Sequence, residues 1–126
     1  MLKPNKLANN NFLSSLDLST DEVLHILELA NNFKNKKMNI DLKNKVLGLI
    51  FDKSSTRTRV SFQVAMSRLG GTTIDLNPNT LQIGRGEPIK DTARVLSRYC
   101  DALAIRTFNQ ADLEEYAKWS TKPVIN

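Results

Sequence analysis

The apolar run Val46-Leu47-Gly48-Leu49-Ile50-Phe51 leads almost directly into Ser55-Thr56-Arg57-Thr58-Arg59. The run has the length of a buried strand. Beyond it, Phe62, Ala65, Met66 and Leu69 recur at i, i+3, i+4 and i+7, one face of a helix. Hydroxyls and guanidiniums therefore fall where a strand ends and a helix begins. The first turn of a helix carries unpaired N–H groups and the positive end of the macrodipole, which together favour an anion. Ser55, Thr56 and Thr58 add hydroxyl donors, and Arg57 adds a fork that matches phosphate in two bonds. A hydroxyl before a helix also serves as a plain N-cap. Two arginines set against the dipole ask for a compensating anion, so the stretch reads as a phosphate cradle.

The rest of the chain supplies the frame. Ser19-Thr20-Asp21-Glu22 is a capping box that opens a helix with Val23, Ile26, Leu27, Ala30 and Phe33 inward and His25 solvated on the far side. Gly70-Gly71 closes the helix after the cradle. Val60 and Val64 lie off its Phe62 face, so this helix is either interior or covered by another subunit. A second strand follows at 72–76, then a loop at 77–87 containing Pro78, Gly84 and Gly86. Pro88 starts a helix packed through Ile89, Thr92, Ala93, Leu96, Tyr99 and Cys100. The third strand runs from Ala102 to Ile105 and ends at Arg106. Asn109 caps a further helix with Leu113, Tyr116 and Ala117 inward, and Pro123-Val124-Ile125-Asn126 begins a fourth strand.

Strands alternating with helices predict an α/β fold: a parallel sheet of about four strands between helical layers, in three layers α/β/α. Ligands gather outside the carboxyl ends of such strands. The cradle follows the first strand, the 77–87 loop the second, and Arg106 ends the third, so three polar features converge on one edge. A surface salt bridge is the competing explanation for Arg106.

Composition narrows the partners. With 126 residues, 40% apolar and 25% charged, the chain suits one globular domain. No apolar run approaches a membrane span, and the N-terminus lacks the apolar core of a signal peptide. One cysteine and one histidine argue against a zinc site or an internal disulfide, which predicts no metal and a reducing, cytoplasmic setting. Cys100 reads as inert packing. The net charge of +5 suits a phosphorylated small molecule. The positives are dispersed among helices and no reading module is evident, so a nucleic-acid partner is not expected.

The segments FDKSSTRTRVSFQVAMSRLGG at 51–71 and LQIGRGEPIKDTARVLSRYCDALAIRTF at 81–108 resemble the aspartate/ornithine carbamoyltransferases, and FLSSLDLSTDEVLHILELA at 12–30 looks like the family's opening helix. The resemblance implies that Ser55, Thr56, Arg57 and Thr58 bind the phosphate of carbamoyl phosphate. It implies further that Thr58 also reaches the carbonyl oxygen, that Arg106 touches both the phosphate and the carbonyl oxygen, and that Gln82 reaches the carbamoyl phosphate of a neighbouring subunit. Arg57, Thr58 and Arg106 are thereby the expected catalytic residues, without a cofactor, in a homotrimer or an assembly of trimers. The loop at 81–87 lacks the lysine of the aspartate branch, and Phe51-Asp52-Lys53 looks like the ornithine branch, with Ser54 where a proline is usual. L-Ornithine is then the second substrate, and arginine biosynthesis the setting. Family members continue past the position of Asn126 through a His-Pro-x-Gln element and an amino-acid-binding domain. Residues 1–126 accordingly resemble a carbamoyl phosphate-binding domain cut short as its fourth strand begins. A module that binds carbamoyl phosphate without reacting it is the competing class.

Overall fold

The computed structural model describes residues 7–51, 55–77 and 88–126. A 3-10 turn at Ser15–Asp17 precedes α1 (Thr20–Lys34), followed by β1 (Val46–Phe51), α2 (Thr56–Arg68), β2 (Thr72–Leu76), α3 (Ile89–Tyr99), β3 (Ala102–Arg106), α4 (Gln110–Trp119) and β4 (Val124–Ile125). The strands form one parallel sheet in the order β2-β1-β3-β4. This is the expected α/β fold.

Side chains alternate across a strand, and the two faces carry different layers. Ile50, Leu103, Ile105 and Val124 pack with Ala93, Leu113 and Tyr116 of α3 and α4. Leu47, Leu49, Phe51 and Ala104 turn to the other face, against Phe62 and Met66 of α2. Gly48 shares the α3 face, where a Cβ would stand 2.9 Å from Leu103 Cδ2 and 3.1 Å from Cys100 Sγ. Cys100 is part of that core, and burial, aided by the Asp101 carboxylate, pushes its thiol above the ordinary range.

Two local devices hold the strands in place. Asp101 clamps the start of β1: its Oδ2 accepts from Val46 N at 2.8 Å, and its own N donates to Val46 O at 2.8 Å. The arm before α1 covers the open side of β4, with Phe12 N donating to Val124 O at 2.9 Å and Asn126 N to Phe12 O at 2.7 Å. Asn11 Oδ1 accepts from Val124 N at 2.9 Å. An exposed strand edge is thereby paired rather than left open. The arm is itself tied to α1 by Glu22. Its carboxylate accepts from Ala8 N and Ser19 N at 2.8 Å each, which holds its pKa below the usual value.

Three helix faces differ from expectation. On α1, Val23 and Ile26 are 38% exposed and Leu27 60% exposed, while Glu22, His25, Leu29 and Phe33 are half-buried. His25 Nε2 is shielded without a hydrogen-bond partner among the described residues, so His25 is not solvated as predicted. Much of the apolar side of the helix is thus exposed, Leu24 at 58% included. On α3, Tyr99 is 72% exposed rather than inward. It ends the helix, and buried Ser97 makes the local contact instead, bonding Ala93 O, Ser120 Oγ and Thr121 N. On α2, Phe62 and Met66 pack against the sheet as expected, and Leu69 just past its end is half-buried, but Ala65 is exposed.

Helix α2 ends in a Schellman motif, with Gly71 N donating to Met66 O at 2.8 Å and Gly70 N to Ser67 O at 3.1 Å. Gly70 sits at φ +84°, a region a Cβ disfavours. Gly70→Ala is expected to destabilise the fold by about 1 kcal/mol, read as a lowered midpoint in urea. An unchanged midpoint would show that the cap contributes nothing.

Candidate functional site

The junction of β1 and α2 places the cradle. Ser55 occupies the N-cap position of α2, half-buried, at φ −152° and ψ 77°. Ser14, Ser19 and Asn109 each cap a helix through the side chain, accepting from Leu16 N, Glu22 N and Ala111 N. Ser55 makes no such bond. Its hydroxyl is not spent on capping, which removes the simpler explanation for a serine at this position. Arg59 N donates to Ser55 O at 3.1 Å, so the intrahelical ladder starts there. The N–H groups of the turn before it lie outside that ladder, as at any helix start, and are open to an anion.

The strand register brings in the distant partner. Phe51 pairs with Arg106 across β1 and β3. Ala104 faces α2, so by alternation Arg106 leaves the strand on the same side as the cradle. Ser55, Thr56, Arg57, Thr58 and Arg106 line a single cavity of about 380 Å³. Among the described residues these five form its lining: three hold hydroxyls and two hold guanidiniums. Such a cavity suits a small anion with more than one acceptor oxygen. A second cavity of about 200 Å³ shares Thr58 and Arg106 and continues past Phe62 and Ile105 to Asn126. Gln82 lies outside the described residues, as do residues 52–54.

The second arginine of the motif has a different place. Arg59 Nε stands 3.5 Å from Asp75 Oδ2 on β2, and its guanidinium lies 5.7 Å from the centroid of the Phe51 ring. Its charge is met by Asp75, not by a ligand, so only Arg57 of the pair needs an external anion. Arg59 ties the first turn of α2 to the ends of β1 and β2. Sequence reasoning did not single out Asp75. The available signal was an acid inside a short strand beside an arginine-rich helix start.

A larger cavity, about 700 Å³, lies along α3 and α4 at the amino ends of the strands. It is lined by Arg94, Val95, Ser97, Arg98, Trp119, Thr121 and Lys122, and shares no residue with the cradle. Size alone does not identify the site. The smaller cavity is the one in which donors converge at the carboxyl ends of the strands.

If the cradle holds an anion in the native state, inorganic phosphate stabilises the fold by mass action, by about 2.7 kcal/mol at a hundredfold excess over its dissociation constant. A rise in Tm with added phosphate is expected, and its loss in Arg57→Ala. An equal rise in both proteins would place the phosphate effect elsewhere.

Comparison with known proteins gives a consistent result. Residues 10–126 match the model of the aspartate/ornithine carbamoyltransferase carbamoyl-P binding domain. An ornithine carbamoyltransferase from Prochlorococcus marinus subsp. pastoris is 84% identical over the whole chain, which spans 41% of that relative's length. The crystal structure of ornithine carbamoyltransferase from Gloeobacter violaceus superposes with a TM-score of 0.84 at 51% identity, over 94% of this chain and 38% of that one. Aspartate transcarbamoylase from Trypanosoma cruzi, in complex with carbamoyl phosphate, is more distant at 28% identity, with a TM-score of 0.85 over 95% of this chain and 38% of that one. With a fitting fold, a matching family model and relatives this similar, the chain belongs to the aspartate/ornithine carbamoyltransferase family.

Proposed function

We propose that the protein containing this segment is an ornithine carbamoyltransferase, transferring the carbamoyl group of carbamoyl phosphate to the δ-amine of L-ornithine. The products are L-citrulline and phosphate. The observation that carries this reading is the meeting of Ser55–Thr58 with Arg106 in one cavity, although Arg106 lies on a different strand. Residues 1–126 are the carbamoyl phosphate-binding domain, and a second domain supplies the amino-acid site. The curated relatives support this division, since the chain spans 41% of the length of each of the two most similar ones described.

In this reading Ser55, Thr56 and Arg57 hold the phosphate, aided by the free N–H groups of the first turn of α2. Thr58 and Arg106 donate to the carbonyl oxygen. The neutral δ-amine attacks the carbonyl carbon, the new C–N bond forms, and negative charge develops on that oxygen. Collapse then breaks the carbon–oxygen bond to phosphate, and the electron pair departs with the phosphate against Arg57. The amine proton passes to phosphate or solvent. Donors preorganised at developing charge lower such a barrier by roughly 3 kcal/mol each, and holding two substrates together lowers it further.

Ornithine is preferred to aspartate as the acceptor for two reasons. The loop at 81–87 has no lysine, and the relative at 84% identity carries the ornithine name while the aspartate enzyme stands at 28%. In the full-length protein, citrulline formation is expected with ornithine and no carbamoyl aspartate with aspartate. Arg57→Ala is expected to lower kcat a hundredfold or more, because the charge developing on the departing phosphate loses its donor, an effect of the same order as a lost oxyanion donor. Near wild-type turnover in that variant would refute its role. The segment alone, lacking the amino-acid site, is expected to release heat with carbamoyl phosphate in a calorimeter while making no citrulline. Arginine biosynthesis in the cytoplasm is the setting that this chemistry fits.

The assembly we propose is a homotrimer, or a larger set of trimers, in which Gln82 reaches a neighbouring subunit's site. Helix α2 has no buried residue, so it is not interior, and Val60 and Val64 are 47% and 41% exposed. A neighbouring subunit covering this side explains two valines beside the cradle. Val60→Asp is then expected to shift the full-length protein toward monomer in sedimentation. An unchanged sedimentation coefficient would remove α2 from the interface.

A further inference from the structure

The large cavity along α3 and α4 has no part in the proposed reaction. Its chemistry is nonetheless specific. Arg94 and Arg98 are exposed on α3 one turn apart, and Lys90 lies one turn before them. On the other side stand Lys118, at the end of α4, and Lys122, on the way into β4. The two rows meet over Trp119, whose ring carries the Lys90 ammonium at 4.3 Å and the Lys118 ammonium at 5.2 Å. Glu115 is committed to this arrangement, since it accepts from Trp119 Nε1 at 2.8 Å. None of Lys90, Arg94, Arg98, Lys118 and Lys122 forms an ion pair among the described residues.

Gathering like charges costs electrostatic energy, and this face holds five cations with no ion-pair partner among the described residues. The α3 row runs for about 12 Å, at 1.5 Å per residue. That length, and a cavity of about 700 Å³ open along its side, exceed the needs of a single phosphate. Trp119 already has ammonium groups over its ring, so it is poorly placed to stack a nucleobase. Beside the cations, Val95 is 51% exposed and Tyr99 72% exposed. Arginine, tyrosine and tryptophan are the residues that carry most binding energy in protein interfaces. A second copy of this chain is a poor occupant, because it brings the same positive charge, +5 overall.

We propose that the face formed by α3, α4 and the turn into β4 is a docking surface for an acidic segment of a different protein. The carboxylates of that segment pair with the Lys90-Arg94-Arg98 row and with Lys122. The surface lies along α3 and α4, and its cavity shares no lining residue with the cradle among the described residues, so an occupant there leaves the cradle open.

The test uses the full-length protein and a fluorescein-labelled oligoglutamate peptide of about fifteen residues, followed by anisotropy at low and physiological salt. Saturable binding that weakens with salt is expected. Arg94→Glu/Arg98→Glu should weaken it at least tenfold. Lys34→Glu/Lys37→Glu, which makes the same change in net charge on another face, should alter it less than about twofold. Citrulline formation should be unchanged in both variants. If the arginine-to-glutamate variant loses its circular dichroism, Arg94→Gln/Arg98→Gln takes its place with the same expectation. Absence of saturable binding, or equal weakening in both double variants, would overturn the proposal. So would tripolyphosphate binding that depends on Arg94 and Arg98 where the peptide does not bind, because the face would then be a small-anion site.

Discussion

The pairing of Phe51 with Arg106 is the constraint on which the site depends. In a parallel sheet the side-chain period is two, so a slip of one residue between β1 and β3 would send Arg106 to the opposite face. There it would meet α3 and α4 instead of the start of α2. The register is fixed by burial on both faces: Leu49 and Ala104 on one side, Ile50, Leu103 and Ile105 on the other, all within 1% of full burial. Asp101 locks it further by pairing with the first residue of β1 through its side chain and its backbone. The chemistry of one exposed arginine thus rests on apolar packing over the whole sheet.

The two helical layers are unequal, and the inequality follows from the site. The α3–α4 layer buries residues from both helices and closes most of its face. The other face is covered by α2, which contributes partly buried Phe62 and Met66 only. Beside it an apolar cavity of about 360 Å³ remains open, lined in part by Leu47, Phe62, Met66, Ala102 and Ile125. A helix whose first turn lies open at the cradle, and which carries valines on its outer side, buries only a narrow stripe. This side therefore keeps apolar surface open, at the cavity and at Val60 and Val64.

Much of this was legible in the sequence because the relevant signals are local. The strand at 46–51, the hydroxyls and arginines after it, and Gly70-Gly71 at the far end of α2 fix an element and its orientation within a short stretch. Arg106 was legible for a topological reason, since alternating strands and helices force strand ends to one edge. The misplacements came from tertiary context. Periodicity shows which side of α1 is apolar, but not whether this segment supplies anything to cover it, so Val23, Ile26 and Leu27 were expected inside and His25 outside. Tyr99 has the right spacing for the core and the wrong height along α3. The two arginines of the motif are indistinguishable by type. They part only when β2 brings Asp75 to Arg59, a contact made across separate elements.

That separation of roles sharpens the electrostatic argument. A first helical turn with two uncompensated guanidiniums would oppose the macrodipole twice. Pairing Arg59 with Asp75 removes one of them and anchors the turn, since the same guanidinium lies over Phe51 at the end of β1. The remaining charge, Arg57, stands beside a serine that declines its capping bond and within a cavity shared with Arg106. Each of these would be mildly unfavourable in isolation. An anion in the cavity answers all of them at once: it accepts from the open N–H groups, fills the role of the missing cap, and neutralises both guanidiniums. The fold therefore tolerates a locally unfavourable helix start because the rest of the sheet is buried well enough to hold it in place.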